Sequence, residues 1–126
     1  MCVRVHNLNK LYIGGSNMNK VYLIGNITKD LELQYFGEEK RTFVKFTLAV
    51  NEYSSSRKEV ITNFINIIAF DKKAEILSKY MLKGSKLSIE GNLRTGIYVD
   101  KNNLKKYTLD IILENFKFID SNKNII

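Results

Sequence analysis

A small all-β barrel with one helix is the fold class this sequence predicts, and three observations predict it. Apolar residues alternate with polar ones over long stretches after Lys20, the signature of half-buried strands. A single segment, Asp71 to Gly84, carries helical spacing instead. The chain has 126 residues, enough for one domain with an ordinary core, and 44% of them are hydrophobic.

The strands follow in order. Val21-Tyr22-Leu23-Ile24-Gly25-Asn26-Ile27 reads as the first. Thr42 to Tyr53 reads as the second. Val44, Phe46, Leu48 and Val50 lie on one face, and Lys45, Thr47, Ala49, Asn51 and Tyr53 on the other. Ser54-Ser55-Ser56-Arg57-Lys58 is a polar break. Val60 to Phe70 is the third strand, Leu87 to Thr95 the fourth and Lys106 to Phe118 the fifth. In the helix between strands three and four, Asp71 is placed to cap the N-terminus, and Ala74, Leu77, Tyr80 and Met81 keep helical spacing. Gly84 stands where a left-handed C-terminal cap is expected. Three strands, a helix and two strands is the order of the five-stranded OB-fold Greek-key barrel, whereas an SH3-like barrel normally lacks the helix.

Charge and composition narrow the function. Lys+Arg is 20 against 13 Asp+Glu, a formal charge of +7. That balance favours polyanions, although a basic surface can also serve solubility alone. Sixteen of the cations are lysines and four are arginines. Lysine makes point-charge contacts with phosphate, while arginine's fork suits base-edge reading, so the excess favours sequence-tolerant binding. An AT-rich gene would give the same excess. One cysteine, Cys2, and one histidine, His6, leave no disulfide within the chain and no zinc cluster, and both sit in what reads as a leader, which argues against a nucleophile pair. Carboxylate chemistry stays open, but the Asp and Glu residues are scattered and no motif joins them. No enzyme activity, cofactor or metal is therefore expected. No apolar run reaches the ~18 residues of a membrane span, and no secretory signal is evident.

Three segments are expected: a leader over 1–17, the barrel over 18–119 and a short tail over 120–126. Gly14-Gly15 lies just ahead of Met18, and its codons can supply a ribosome-binding sequence. Met18 is then the native start; the alternative is a genuine N-terminal arm.

Strand parity gives the candidate site. With Ile65, Ile67 and Ala69 inward, Phe64, Asn66, Ile68 and Phe70 point outward. Tyr53 shares the face of Lys45 and Thr47, and Tyr98 that of Arg94 and Lys86. Aromatic rings on an outer face can stack unpaired bases of any sequence, at roughly 1–3 kcal/mol per base. Strand aromatics also commonly serve core or subunit contacts. Gly96 to Leu104 reads as a long hairpin tip bearing Lys101 and Lys105, beside Lys106, Tyr98 and Tyr107. The ordinary reading of such a tip is a solvated loop; in OB-folds it commonly touches nucleic acid.

Met18-Asn19-Lys20-Val21-Tyr22-Leu23-Ile24-Gly25-Asn26-Ile27-Thr28-Lys29-Asp30, Tyr80-Met81-Leu82-Lys83-Gly84-Ser85 and Ile89-Glu90-Gly91-Asn92-Leu93-Arg94-Thr95 are well-spaced motifs. Together they resemble the bacterial single-stranded DNA-binding protein family over about residues 18–119. The resemblance implies an OB-fold that binds and protects single-stranded DNA in replication, recombination and repair. It further implies a homo-oligomer, usually a tetramer, in the cytoplasm and associated with the nucleoid. The family stacks bases on three tryptophans and a phenylalanine. This chain has no tryptophan, and at the matching positions it carries Tyr53, Phe64, Phe70 and Tyr98. The family's basic neighbours are replaced by Ile65, Asn66, Gly96 and Ile97. Lys45, Lys72, Lys86, Lys101 and Lys105 are expected to compensate as phosphate contacts, with Lys20 and Arg94. The family's main replicative members continue into a linker and an acidic tip that recruits other proteins. The sequence stops at Asp120-Ser121-Asn122-Lys123-Asn124-Ile125-Ile126, as a domain fragment or a naturally tailless variant would, and for the tailless variant tail-mediated recruitment is not expected. A dimeric scaffold of replication restart, similar to primosomal replication protein B, is the alternative. Enzymes and OB-folds that bind RNA or oligosaccharide are further classes to be separated by experiment.

Overall fold

The computed structural model describes residues 17–119; the expected leader, with Cys2 and His6, and the tail fall on residues outside these except for Asn17. Six strands and one helix are seen: β1 (Val21–Ile27), β2 (Gln34–Phe36), β3 (Arg41–Ser54), β4 (Glu59–Phe70), α1 (Asp71–Tyr80), β5 (Lys86–Val99) and β6 (Lys105–Phe118). The strand order is β1-β5-β6-β4-β3-β2, and β1 also pairs with β3. That last pairing, Asn26↔Ala49 and Ile27↔Leu48, closes β1, β5, β6, β4 and β3 into the expected five-stranded barrel. The short β2 lies outside it, against β3.

The core is what strict alternation demands. Val44, Phe46 and Leu48 of β3, Ile67 and Ala69 of β4, Leu87 and Ile89 of β5, and Ile111 and Leu113 of β6 are buried together. Each such side chain contributes about 1.5–3 kcal/mol on burial. Ala74 and Leu77 of α1, with Met81 after it, seal the barrel against β3 and β4.

Three local expectations need correction. Phe70, in extended conformation, occupies the N-cap of α1, and no side chain caps it. Asp71 is the first helical residue, and its carboxylate is engaged by Arg41. Gly84 is not the helix C-cap. Met81 holds that place, its N–H donating to the Leu77 carbonyl, and Gly84 (φ +92°) makes the next turn. There its N–H donates to the Ile27 carbonyl at 2.7 Å, joining the turn to β1. Finally, the hairpin tip is shorter than expected. β5 runs on to Val99 and β6 begins at Lys105, so Gly96, Ile97 and Tyr98 lie in the ladder. The Asp100 carboxylate organises the five-residue turn by accepting from the N–H groups of Asn102 and Leu104.

The architecture produces two projecting arms. β4 and β6 run parallel but pair only at Ile67↔Ile111 and Ile68↔Ile112. The β3–β4 ribbon continues antiparallel to Ser54↔Glu59, and the β5–β6 ribbon to Val99↔Lys105. Because β4 and β6 point the same way, both tips leave the barrel at the same end.

Candidate nucleic-acid interface

The β3–β4 register fixes which side chains share the outer face. Phe43↔Phe70, Lys45↔Ile68, Thr47↔Asn66, Ala49↔Phe64, Asn51↔Thr62 and Tyr53↔Val60 are direct cross-strand partners. All lie on the face opposite the core residues. Phe64 is 68% exposed and Tyr53 64% exposed, while Phe70 is half-buried. At a rise of about 3.3 Å per residue, Phe64 stands roughly 13 Å from Val60, the partner of Tyr53, and roughly 20 Å from Phe70. The three rings are spaced along one ribbon, with Lys45 and Thr47 among them.

The fourth expected ring stands on the other arm. Tyr98 is 53% exposed, on the outer face of β5 opposite Lys106. Between the arms lies a groove of about 840 Å³, lined by Phe64, Asn66 and Lys45 on one side and by Tyr107, Leu109 and Asp110 on the other. Tyr107, at 74% exposed, is the barest ring of the two arms. It was legible in the sequence only as a neighbour of the hairpin lysines.

The expected phosphate ligands divide by place. Lys45 is exposed in the groove, and Lys72 is exposed as the second residue of α1, two residues beyond Phe70. Arg94, Lys101 and Lys105 are exposed along the arm that carries Tyr98. Lys86 is half-buried at the other end of β5, opposite Asn26. Lys20 lies elsewhere in a different setting. Its ammonium donates to Glu114 at 2.7 Å and to Glu90 at 3.4 Å. The Glu114 bond holds the Lys20 ammonium above its usual range and the Glu114 carboxyl below its own. Lys20, just ahead of β1, is thus an exposed tie to β5 and β6, paired with two carboxylates.

A cluster at the far end of the β3–β4 face was not anticipated. β2 brings Phe36 edge-on to Phe43 (ring centroids 5.5 Å apart) and to Phe70 (6.1 Å). The Arg41 guanidinium lies 5.3 Å from the Phe36 centroid and 6.0 Å from that of Phe70. Asp71 grips it through Nε at 3.2 Å and Nη2 at 2.7 Å, which lowers the Asp71 pKa and raises that of Arg41. The signal in the sequence was Gly37, whose φ of +76° turns the chain between Phe36 and Arg41.

Among the described residues, no group of three or more His, Cys, Asp or Glu could hold a metal ion. No helix there is long and apolar enough to cross a membrane.

The profile of the single-strand binding protein family matches residues 18–119. The single-stranded DNA-binding protein of Clostridium perfringens is 43% identical over 104 residues, covering 82% of this chain and 67% of that protein. Single-stranded DNA-binding protein 2 of Clostridium acetobutylicum is 34% identical over 107 residues, covering 85% and 80%. Among solved structures, a Plasmodium falciparum SSB complex with single-stranded DNA superposes with a TM-score of 0.75 at 26% identity, covering 83% of this chain and 97% of that one.

Proposed function

This chain belongs to the single-strand binding protein family, and we propose that it coats and protects single-stranded DNA with little sequence preference, in replication, recombination and repair. The exposed rings of Tyr53 and Phe64 on one outer face, with Lys45 between the arms, carry this reading. Large apolar rings left in water on a patterned face are a cost unless a partner covers them. A base π-face covers them whatever the sequence. Phe70 and Tyr98 extend the path in opposite directions. Lys45, Lys72, Lys86, Arg94, Lys101 and Lys105 are the proposed phosphate contacts; Lys20 is left out because Glu90 and Glu114 hold it. The role is binding, without turnover or cofactor, in the cytoplasm on the nucleoid.

Competition tests the polymer class. Poly-dT should displace a labelled dT oligonucleotide far better than duplex DNA or RNA of equal length; RNA or duplex competing as well would refute the reading. Replacing Lys101 by alanine should flatten the log–log salt dependence of binding by up to about 0.7, the value per released single-strand phosphate contact. Lys20→Ala should leave that slope unchanged.

We also propose a homo-oligomer, a tetramer. The support is apolar: Leu93, Ile97 and Leu109 are exposed on the β5–β6 arm, near Val21, Leu23 and Ile65, which pack on the core but stay partly exposed. Residues 21–25 of β1 pair only with β5, which leaves one edge of that strand without a partner among the described residues. Light scattering should return four chains per particle, and a monomer at micromolar concentration would refute the proposal.

A further inference from the structure

We propose that Phe36 and the guanidinium plane of Arg41 form an additional base-stacking subsite next to Phe70, with Asp71 as the positioning residue. This rests on the single-strand reading above and lengthens its path beyond the four expected rings.

The geometry supplies the reason. A guanidinium donates hydrogen bonds only in its own plane. Asp71 takes two of those in-plane bonds, from Nε and Nη2, and so fixes the plane without itself covering either face. One side lies toward Phe36 and Phe70, at 5.3 Å and 6.0 Å from their centroids. About half of the Arg41 side chain stays in water, and that is the surface offered to a base. Guanidinium planes stack on bases as aromatic rings do. Phe36 is 39% exposed and Arg41 about half exposed, so neither is sealed by the packing that orders it. Beside them is an open groove of about 320 Å³ lined by Phe36, Gly37, Glu38, Glu39 and Arg41. That volume lies at the lower end of the range typical of small-ligand sites, about 300–1,000 Å³.

Asp71 adds an independent observation. Its φ is +56°, in the left-handed region that most side chains avoid and that, glycine aside, Asp and Asn tolerate best. The strained residue is the one that holds Arg41 still. The surrounding charge also selects the mode of contact. Glu38 and Glu39 line the groove and Asp71 already pairs with Arg41, so the guanidinium itself offers little to a phosphate, and Lys40, Lys72 and Lys73 are the neighbouring cations left for the backbone. The subsite therefore takes a base, with its phosphates turned toward Lys72 and solvent.

The test is a poly-dT titration at two salt concentrations with Phe36→Ala, Phe36→Leu, Arg41→Ala, Arg41→Lys and Asp71→Asn, each checked by thermal melting. Phe36→Leu keeps apolar packing on Phe43 and Phe70 but has no π-face, so it separates stacking from folding. The expected result is a loss of about 5- to 10-fold in affinity for Phe36→Leu and Arg41→Ala, with an unchanged salt slope. Arg41→Lys should lose as much as Arg41→Ala, since an ammonium has no plane. Asp71→Asn should lose affinity in wild-type Arg41 and lose nothing further in Arg41→Ala. Wild-type affinity in folded Phe36→Leu, or wild-type behaviour of Arg41→Lys with a flattened slope in Arg41→Ala, would overturn the subsite. A Phe64→Ala control separates the two readings. If it weakens binding while the Phe36 and Arg41 variants do not, only the subsite fails; if it too binds normally, the stacking surface fails with it.

Discussion

Replacing Phe64 by alanine is expected to weaken poly-dT binding by about 1–3 kcal/mol, roughly 5- to 150-fold, while the thermal midpoint moves little. The two halves of this expectation come from one fact. Phe64 leaves 68% of its surface in water, so truncating it opens no cavity and forfeits little burial. The same exposure, directly across from the small Ala49, gives a base unobstructed access to the ring. A variant that melts early yet binds normally per folded molecule would assign the ring to packing. Tyr53→Ala should behave in the same manner. Phe70→Ala should lose both stability and affinity, because Phe70 is half-buried against Phe36.

The opposite pattern is expected at Gly91. A Cβ at this position would stand 2.3 Å from the Ile112 carbonyl oxygen and 2.9 Å from Ile111 Cγ2. The carbonyl belongs to the β5–β6 ladder and cannot withdraw without breaking it, at the place where the register already shifts between Glu90 and Gly91. Gly91→Ala should therefore destabilise the fold by about 3 kcal/mol, at the upper end for overpacking. In a domain of this size that lowers the midpoint by roughly 10 °C or more. Affinity per folded molecule should hold. Gly96→Ala is the control: its Cβ would meet only Thr108 Oγ1, at 2.8 Å, a side-chain atom that rotation about χ1 can move where a ladder carbonyl cannot. Equal loss at both positions would show that close backbone approach is not the cause.

These two sites explain what the sequence could and could not disclose. The barrel was legible because alternation is a strict constraint: once Val44, Phe46 and Leu48 face the core, Lys45 and Thr47 must face out, and Tyr53 follows by parity. The same rule placed Phe64 and Phe70. The motifs that carried the resemblance say more about folding than about binding. At Gly25 and Gly91 the backbone of another strand passes within 2.5 Å of the point a Cβ would occupy, so those motifs mark the barrel's tight crossings rather than its ligand surface.

What stayed hidden depends on contacts far apart in the chain. β2 is three residues long and shows no period of its own, and its pairing with β3 is what brings Phe36 and Arg41 to Phe70. Asp71 has the chemistry of an N-cap, but Arg41 competes for its carboxylate and wins. Lys20 counts toward a basic surface in any tally of charge. Only the β1–β5 and β5–β6 registers show that Glu90 and Glu114 stand beside it. The hairpin lysines were visible, but the length of the β5–β6 arm was not, because Gly96 resembles a turn residue and sits in a strand.

Photochemical cross-linking of the protein to poly-dT, followed by peptide mass spectrometry, tests the stacking surface most directly. Cross-links should fall on Tyr53, Phe64, Phe70 and Tyr98. Cross-links confined to the opposite face of the barrel, around Tyr22 and Ile24 of β1, with the β3–β4 rings untouched, would contradict it.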